Sequence, residues 1–97
     1  MDTLRVAAIS MNSPLGGLDH VLETIEARCR EAADDGAELA VFPELVVHGH
    51  CTPNTWEIAE EVPEGPSTKK LIALAAEFSL VLSVGLSEKE NDLVYNT

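Results

Sequence analysis

Apolar residues in the first third of the chain follow first a strand pattern and then a helix pattern. The run from Leu4 to Met11 is short and is followed by turn-forming residues, so it predicts a buried strand. From Leu18 onward, apolar residues recur every three or four positions and therefore share one helix face. They are Leu18, Val21, Leu22, Ile25, Cys29, Ala32 and Ala33. We expect this helix to stop at Gly36, since glycine accepts the left-handed conformation common at helix ends.

A second strand and a second helix follow. The run from Leu39 to Phe42 predicts a buried strand, which ends at Pro43 because proline cannot donate to a ladder. Pro66 is suited to the first position of a helix. The helical spacing after it is carried by Leu71, Leu74, Ala75 and Phe78.

The last part of the chain predicts two more strands. The run from Leu80 to Leu86 is rich in residues that favour strands, and a turn at Glu88 to Asp92 precedes a further strand that starts at Leu93. The resulting order is β-α-β-α-β-β, an α/β fold in which βαβ units place neighbouring strands parallel. Two helices leave one face of a parallel sheet bare, so we expect these residues to be the front part of a longer domain.

Glu44 comes directly after the second predicted strand. Ligand crevices of open α/β sheets lie at the carboxyl ends of the strands. A carboxylate is costly to desolvate without a partner, so this position favours a functional acid. The alternative is an acid that only caps the next turn or points into water. We interpret Asp34-Asp35 and Glu60-Glu61 as solvated helix ends.

Composition narrows the class of protein. The 97 residues contain 6 basic and 17 acidic side chains, a formal net charge of -11, which argues against binding to nucleic acid or to an anionic membrane. No apolar run reaches the roughly 20 residues that span a bilayer, and no signal sequence is evident. Two cysteines are too few for a disulfide framework, so we expect a cytoplasmic protein.

The loop after Glu44 contains further candidate residues. His48, His50 and Cys51 suggest a metal site, but their spacing is not that of zinc sites and one short loop supplies three ligands at most. The favoured alternatives are a lining of the substrate pocket or plain loop polarity. Cys51 as a nucleophile is disfavoured because no oxyanion donor is evident. Trp56 lines the mouth of a pocket or packs in an interface or core. Cys29 lies on the apolar helix face and is interpreted as a core residue.

Several segments, in this order, resemble the nitrilase or carbon-nitrogen hydrolase superfamily. The central one, GAELAVFPE from Gly36 to Glu44, resembles the motif around the catalytic glutamate, and Gly49-His50 stands where many members have Gly-Tyr. The others are Ala7 to Met11, Gly65-Pro66 with Leu71 and Leu74 to Glu77, Val84 to Glu88, and Tyr95-Asn96-Thr97. The resemblance implies the amino-terminal part of a four-layer α-β-β-α sandwich, with residues 1–97 forming one truncated portion of a single domain.

The resemblance also implies a hydrolase that cleaves amide, carbamoyl or nitrile carbon-nitrogen bonds with a glutamate, a lysine and a cysteine. Glu44 matches the glutamate and would be the general base, whereas the lysine and the nucleophilic cysteine follow Thr97 in family members. His48, His50 and Trp56 are candidates for the substrate pocket. No cofactor or metal is expected, the substrate is a small molecule, and the complete protein is expected to form a homo-oligomer.

Two functions follow from this reading. The favoured one is the amino-terminal part of a thiol amidase or nitrilase, and the alternative is a noncatalytic α/β module that binds a partner. A lysine and a strand-end cysteine further along the chain would distinguish the enzyme from the module. Because those two groups are missing, we expect residues 1–97 alone to be inactive.

Overall fold

A computed structural model of the chain describes residues 3–14, 17–50 and 53–97. Three strands form a parallel sheet in the order β1-β2-β3, namely β1 (Val6–Ala8), β2 (Leu39–Val41) and β3 (Val81–Ser83). Helix α1 (Leu18–Asp34) connects β1 to β2, and helix α3 (Pro66–Phe78) precedes β3. Strands β4 (Ser87–Glu90) and β5 (Leu93–Asn96) form an antiparallel hairpin. The α/β class and the parallel pairing are confirmed. The predicted turn at Glu88 to Asp92 is wrong in part, because residues 88–90 pair with β5 as strand β4 and the turn is limited to Asn91 and Asp92.

One short helix was not predicted either. Helix α2 (Thr55–Ile58) lies in the long connection after β2 and has only four residues. The strands are also shorter than the apolar runs that predicted them, because β1 and β3 each pair over three residues only. Sequence runs mark apolar environment, whereas strand bounds depend on where the partner strand stops.

The core lies between the sheet and helices α1 and α3. Ala7, Ala40 and Leu82 are in register with one another and pack against the helices. From α1 the buried residues are Val21, Ile25, Cys29 and Ala32, and from α3 they are Ser67, Leu71 and Leu74. The four buried residues of α1 all belong to the apolar face predicted for that helix. Gly36 follows the helix with a φ of 80°, the left-handed conformation predicted for it.

Two polar contacts join the helices outside the core. The Lys70 ammonium donates to Glu26 Oε1 over 2.7 Å, and the guanidinium of Arg30 lies 5.4 Å from the centre of the Phe78 ring. The ion pair raises the pKa of Lys70 and lowers that of Glu26. Both charged groups are accessible to water, so the pair contributes little to stability. Packing of the apolar faces is what holds α1 and α3 together.

The opposite face of the sheet is open in the described part of the chain. Val6, Val41 and Val81 are 48%, 36% and 66% exposed. The expectation of a bare sheet face is therefore confirmed, while β1, β2 and β3 are buried on one face rather than two. No helix within the described ranges is both long and apolar enough to cross a bilayer.

Candidate functional site

Glu44 lies at the carboxyl end of β2, as predicted. The ladder continues for one residue beyond the strand, because the Phe42 N–H donates to the Ser83 carbonyl over 2.8 Å. Pro43 then ends the pairing, and a turn over residues 44–48 begins. The Glu44 carboxylate is 63% exposed and accepts a hydrogen bond of 2.6 Å from Asn96 Nδ2 at the end of β5. The described residues therefore orient this acid without removing it from water.

The chain passes very close to Gly85 at this point. A Cβ on Gly85 would lie 2.5 Å from the Leu45 nitrogen and 2.9 Å from the Pro43 carbonyl oxygen, both backbone atoms. Only a residue without a side chain allows this approach. Leu45 itself has a φ of 50°, which is uncommon for a residue other than glycine. A tight backbone crossing thus fixes the position of the Glu44 turn against the segment that follows β3.

His48 closes the turn that begins at Glu44. Its side chain is 1% exposed, and both ring nitrogens are bonded. The Ser87 N–H donates to Nδ1 over 3.1 Å, so Nδ1 carries no hydrogen. Nε2 therefore carries the ring hydrogen and donates it to Glu60 Oε2 over 2.8 Å. The surroundings select one tautomer of a neutral imidazole.

The Glu60 carboxylate joins His48 to the start of helix α3. Ser67 donates its backbone N–H to Oε1 over 2.7 Å and its hydroxyl to Oε2. Burial is the largest single influence on the Glu60 carboxyl and would raise its pKa. The hydrogen bonds from Ser67 and His48 outweigh burial, so the pKa of Glu60 is lowered. The interpretation of Glu60 as a solvated acid is wrong, because its side chain is only 10% exposed.

The backbone of Glu60 is bonded as well as its side chain. Its N–H donates to the Ser87 carbonyl over 3.1 Å, and the Lys89 N–H donates to the Glu60 carbonyl over 2.8 Å. These bonds form a parallel bridge between Glu60 and Glu88 on β4. Gly65 packs directly against Glu60, since a Cβ there would lie 2.8 Å from the Glu60 Cβ. Glu60 is therefore a fixed point shared by α3, the hairpin and the Glu44 turn.

The other predicted site residues lie in different surroundings. His50 is 66% exposed, with its Nε2 atom 3.9 Å from Glu44 Oε2. Trp56 is 60% exposed on α2. The structure brings His50 to Glu44 and holds His48 in the buried network, while substrate contact by His48, His50 and Trp56 stays a prediction. Cys51 lies outside the described residues, and the described residues contain no group of three that could hold a metal ion.

The two remaining readings concern helix α1. Cys29 is fully buried, and burial followed by the nearby Glu26 raises the pKa of its thiol. Cys29 is thus the core residue that its spacing predicted. Asp34 and Asp35 are exposed at the end of α1, as expected for a solvated helix end.

Sequence reasoning missed the residues that hold the site together. Glu60, Ser67 and Ser87 carry no motif of their own, and their partners lie far away in the chain. Asn96 and Gly85 were part of motifs but had no assigned role. The sequence held two weak signals for these roles. Gly85 stands between two apolar residues, and the polar Asn96 ends an otherwise apolar strand.

Comparison with known proteins gives consistent matches. The family model described as carbon-nitrogen hydrolase matches residues 5–97. A nitrilase of Pyrococcus abyssi is 32% identical over 97% of this chain and 37% of its own length. An omega-amidase of Pongo abelii is 34% identical over 100% of this chain and 35% of its own length. A probable nitrilase of Schizosaccharomyces pombe is 31% identical over 96% of this chain and 36% of its own length.

A solved structure shares the fold. The crystal structure of a glutamine-dependent NAD(+) synthetase from Cytophaga hutchinsonii superposes with a TM-score of 0.73 and 20% identity. The superposition covers 98% of this chain and 16% of that one. The present chain spans about a third of the length of the curated relatives it matches.

The close approach at Gly85 leads to a first prediction. We expect Gly85→Ala to lower the free energy of unfolding by about 1–3 kcal/mol, because its Cβ would overlap backbone atoms that must then move. Gly17→Ala is the comparison, because a Cβ there would lie 3.2 Å from Pro14, a contact that a shift of a few tenths of an ångström relieves, so its cost should be smaller. Urea unfolding of both variants measures the difference, and equal costs at the two positions would contradict the crossing described above.

The Glu60 network leads to a second prediction. Glu60→Gln leaves a Ser67 donor without its acceptor. We therefore expect the free energy of unfolding to fall by about 1–3 kcal/mol at neutral pH. The folded-state pKa of Glu60 lies below its usual value of 4.5. Its charge therefore stabilises the fold fully above that value, and the contribution disappears as the pH falls through the folded-state pKa.

The measurement is urea unfolding of both proteins from pH 7 to pH 3. The difference in free energy of unfolding between wild type and Glu60→Gln should be constant around neutral pH. This difference should become smaller below about pH 4.5. Glu61→Gln is the matched control, because Glu61 is the exposed neighbour. A difference that widens on acidification would show that the sign of the coupling is wrong.

Proposed function

Because the chain belongs to the carbon-nitrogen hydrolase family, we propose that it is part of a hydrolase for non-peptide carbon-nitrogen bonds in which Glu44 is the general base. The observation that carries this proposal is the placement of Glu44. The acid stands at the carboxyl end of β2, directly after Phe42 and Pro43, and Asn96 holds one of its oxygens at 2.6 Å. Carboxyl ends of parallel strands are where α/β folds build their ligand sites.

The proposed chemistry proceeds through a thioester. Glu44 accepts the proton of a cysteine thiol, and the thiolate sulfur bonds to the carbonyl carbon of the amide. The carbon-nitrogen bond then breaks, and the nitrogen leaves as ammonia or an amine with the proton returned by Glu44. Water next gives a proton to Glu44 and its oxygen to the acyl carbon, the carbon-sulfur bond breaks, and the thiol regains its proton. The net reaction adds one water and yields an acid and an amine.

The energetics explain why Glu44 needs partners. Usual pKa values of about 8.5 for cysteine and 4.3 for glutamate make the first proton transfer uphill by about 6 kcal/mol. A cation beside the developing anion offsets such a cost. We propose that the lysine and the nucleophilic cysteine of the family set, which follow Thr97 in family members, perform these roles in the full-length protein. Cys29 does not, because it is buried among apolar residues of α1.

The substrate class follows the relatives only in outline. Two relatives are named nitrilase or probable nitrilase and a third is named omega-amidase. We therefore propose a small amide or nitrile as substrate. The acidic composition, with a formal net charge of -11, favours neither nucleic acid nor an anionic membrane as a partner. A homo-oligomeric, cytoplasmic protein remains our expectation.

The direct test removes the carboxylate in the full-length protein. We expect Glu44→Gln to lower kcat for hydrolysis of a responsive amide or nitrile by about 10²–10⁴-fold, the usual contribution of a general base. Glu38→Gln is the control, since Glu38 is an exposed acid one residue before β2. Release of ammonia from a panel of small amides and nitriles is the measurement. Full activity of Glu44→Gln would remove Glu44 from the mechanism.

The residues present here also predict a negative result. Purified residues 1–97 should hydrolyse no amide, because Glu44 without a nucleophile accepts a proton but forms no acyl intermediate. The assay is the same ammonia release, with the full-length protein as the positive control. Hydrolysis by the segment alone would mean that the nucleophile lies within it.

A further inference from the structure

The turn that carries Glu44 is attached to the β4–β5 hairpin at both of its ends. At its start, Asn96 Nδ2 on β5 donates to Glu44 Oε1 over 2.6 Å. At its end, the Ser87 N–H on β4 donates to His48 Nδ1 over 3.1 Å. Ser87 and Asn96 are themselves paired across the hairpin. The contacts therefore form a closed ring from Glu44 through His48, Ser87 and Asn96 back to Glu44.

We propose that His48 is a positioning residue for Glu44, which acts by holding the hairpin so that Asn96 meets the carboxylate. The inference rests on Glu44 being the general base of the proposed function. His48 does not touch the reacting atoms in this role. It fixes the distance between the turn and the hairpin, and the hairpin then fixes Asn96.

The two nitrogens of the imidazole explain why a histidine is suited to this place. Nδ1 accepts from Ser87 only if the ring hydrogen is on Nε2, and Nε2 donates to Glu60 Oε2 over 2.8 Å. Glu60 is held in turn by two hydrogen bonds from Ser67 at the start of α3. A carboxylate that selects the tautomer and orientation of an imidazole is a common arrangement around catalytic and metal-binding groups.

Burial makes this ring of contacts stiff. His48 is 1% exposed and Ser87 is 3% exposed, so water does not compete for the bond between them. Glu44, by contrast, is 63% exposed, and an exposed acid on a turn would otherwise sample several rotamers. The buried half of the ring thus supplies the order that the exposed half lacks. Misplacement of a reacting group by about 1 Å costs about 10²-fold in rate, which is the scale on which such order matters.

Two substitutions at His48 separate its two bonds. The amide of Asn places an acceptor near the position of Nδ1 and so retains the bond to Ser87, whereas Leu retains neither bond. In the full-length protein we expect His48→Leu to lower kcat about 10–100-fold, with KM changed less than about threefold. His48→Asn should recover at least part of that loss. Rates are divided by the amplitude of the acyl-enzyme burst, so that unfolded molecules do not count.

A double-mutant cycle tests whether His48 acts through Asn96. If it does, Asn96→Ala and His48→Leu remove the same contribution, and the double variant is no slower than the slower single variant. Multiplied losses in kcat would mean that the two residues act independently and would overturn the proposal. His20→Leu is the matched control, because His20 is an exposed histidine on α1 and should leave kcat unchanged.

A second readout does not depend on activity. With 15N-labelled asparagine, the side-chain amide of Asn96 in the wild type should show one proton shifted by its bond to Glu44 and slowed in exchange with water. His48→Leu should lose both features and His20→Leu should keep them. If the wild type hydrolyses no amide or nitrile, the proposed function fails while this coupling is still measured. An unchanged Asn96 signal in folded His48→Leu would overturn the positioning role.

Discussion

The structure depends on the buried carboxylate of Glu60 and the three hydrogen bonds it accepts. Two come from Ser67 and one from His48, and they connect the start of α3 with the end of the Glu44 turn. A carboxylate with these donors is stabilised, whereas the same group without them would cost several kcal/mol in desolvation. The network is therefore sensitive to the loss of any single member. That sensitivity makes the network specific, because an arrangement of loop, helix and hairpin that loses one of these bonds leaves a buried donor or acceptor unpaired.

The path of the backbone adds a second constraint. Phe42 continues the ladder of β2, Pro43 ends it, and Gly85 lets the following turn cross the segment after β3 at contact distance. Electrostatics and sterics thus act on the same five-residue turn from two sides. A turn fixed in this way presents Glu44 at the strand end with little freedom of the main chain. The hydrogen bond from Asn96 then orients the side chain.

The elements of the fold were predictable because their signals are local. The spacing of Val21, Ile25 and Cys29 predicts which face of α1 is buried, and Gly36 indicates where the helix ends. The position of Glu44 followed from Pro43 for the same reason. The network around Glu60 was not predictable, because Ser67 and Ser87 are ordinary polar residues whose roles arise only when distant segments meet. From sequence alone, an acid such as Glu60 is predicted to be solvated, because the donors that stabilise its buried carboxylate lie in other segments.

The open face of the sheet bears on the chemistry proposed for Glu44. Val6 and Val81 are in register on that face and exposed, and parallel sheets are normally covered on both faces. The relatives are about three times as long as this chain, so the family has the length to provide such a cover. A carboxylate that acts as a general base towards a thiol works best where water is excluded, because charges there interact more strongly. The described residues thus supply the proposed base, Glu44, and the contacts that orient it, while its side chain is 63% exposed. The role proposed for Glu44 therefore requires further structure that excludes water from it.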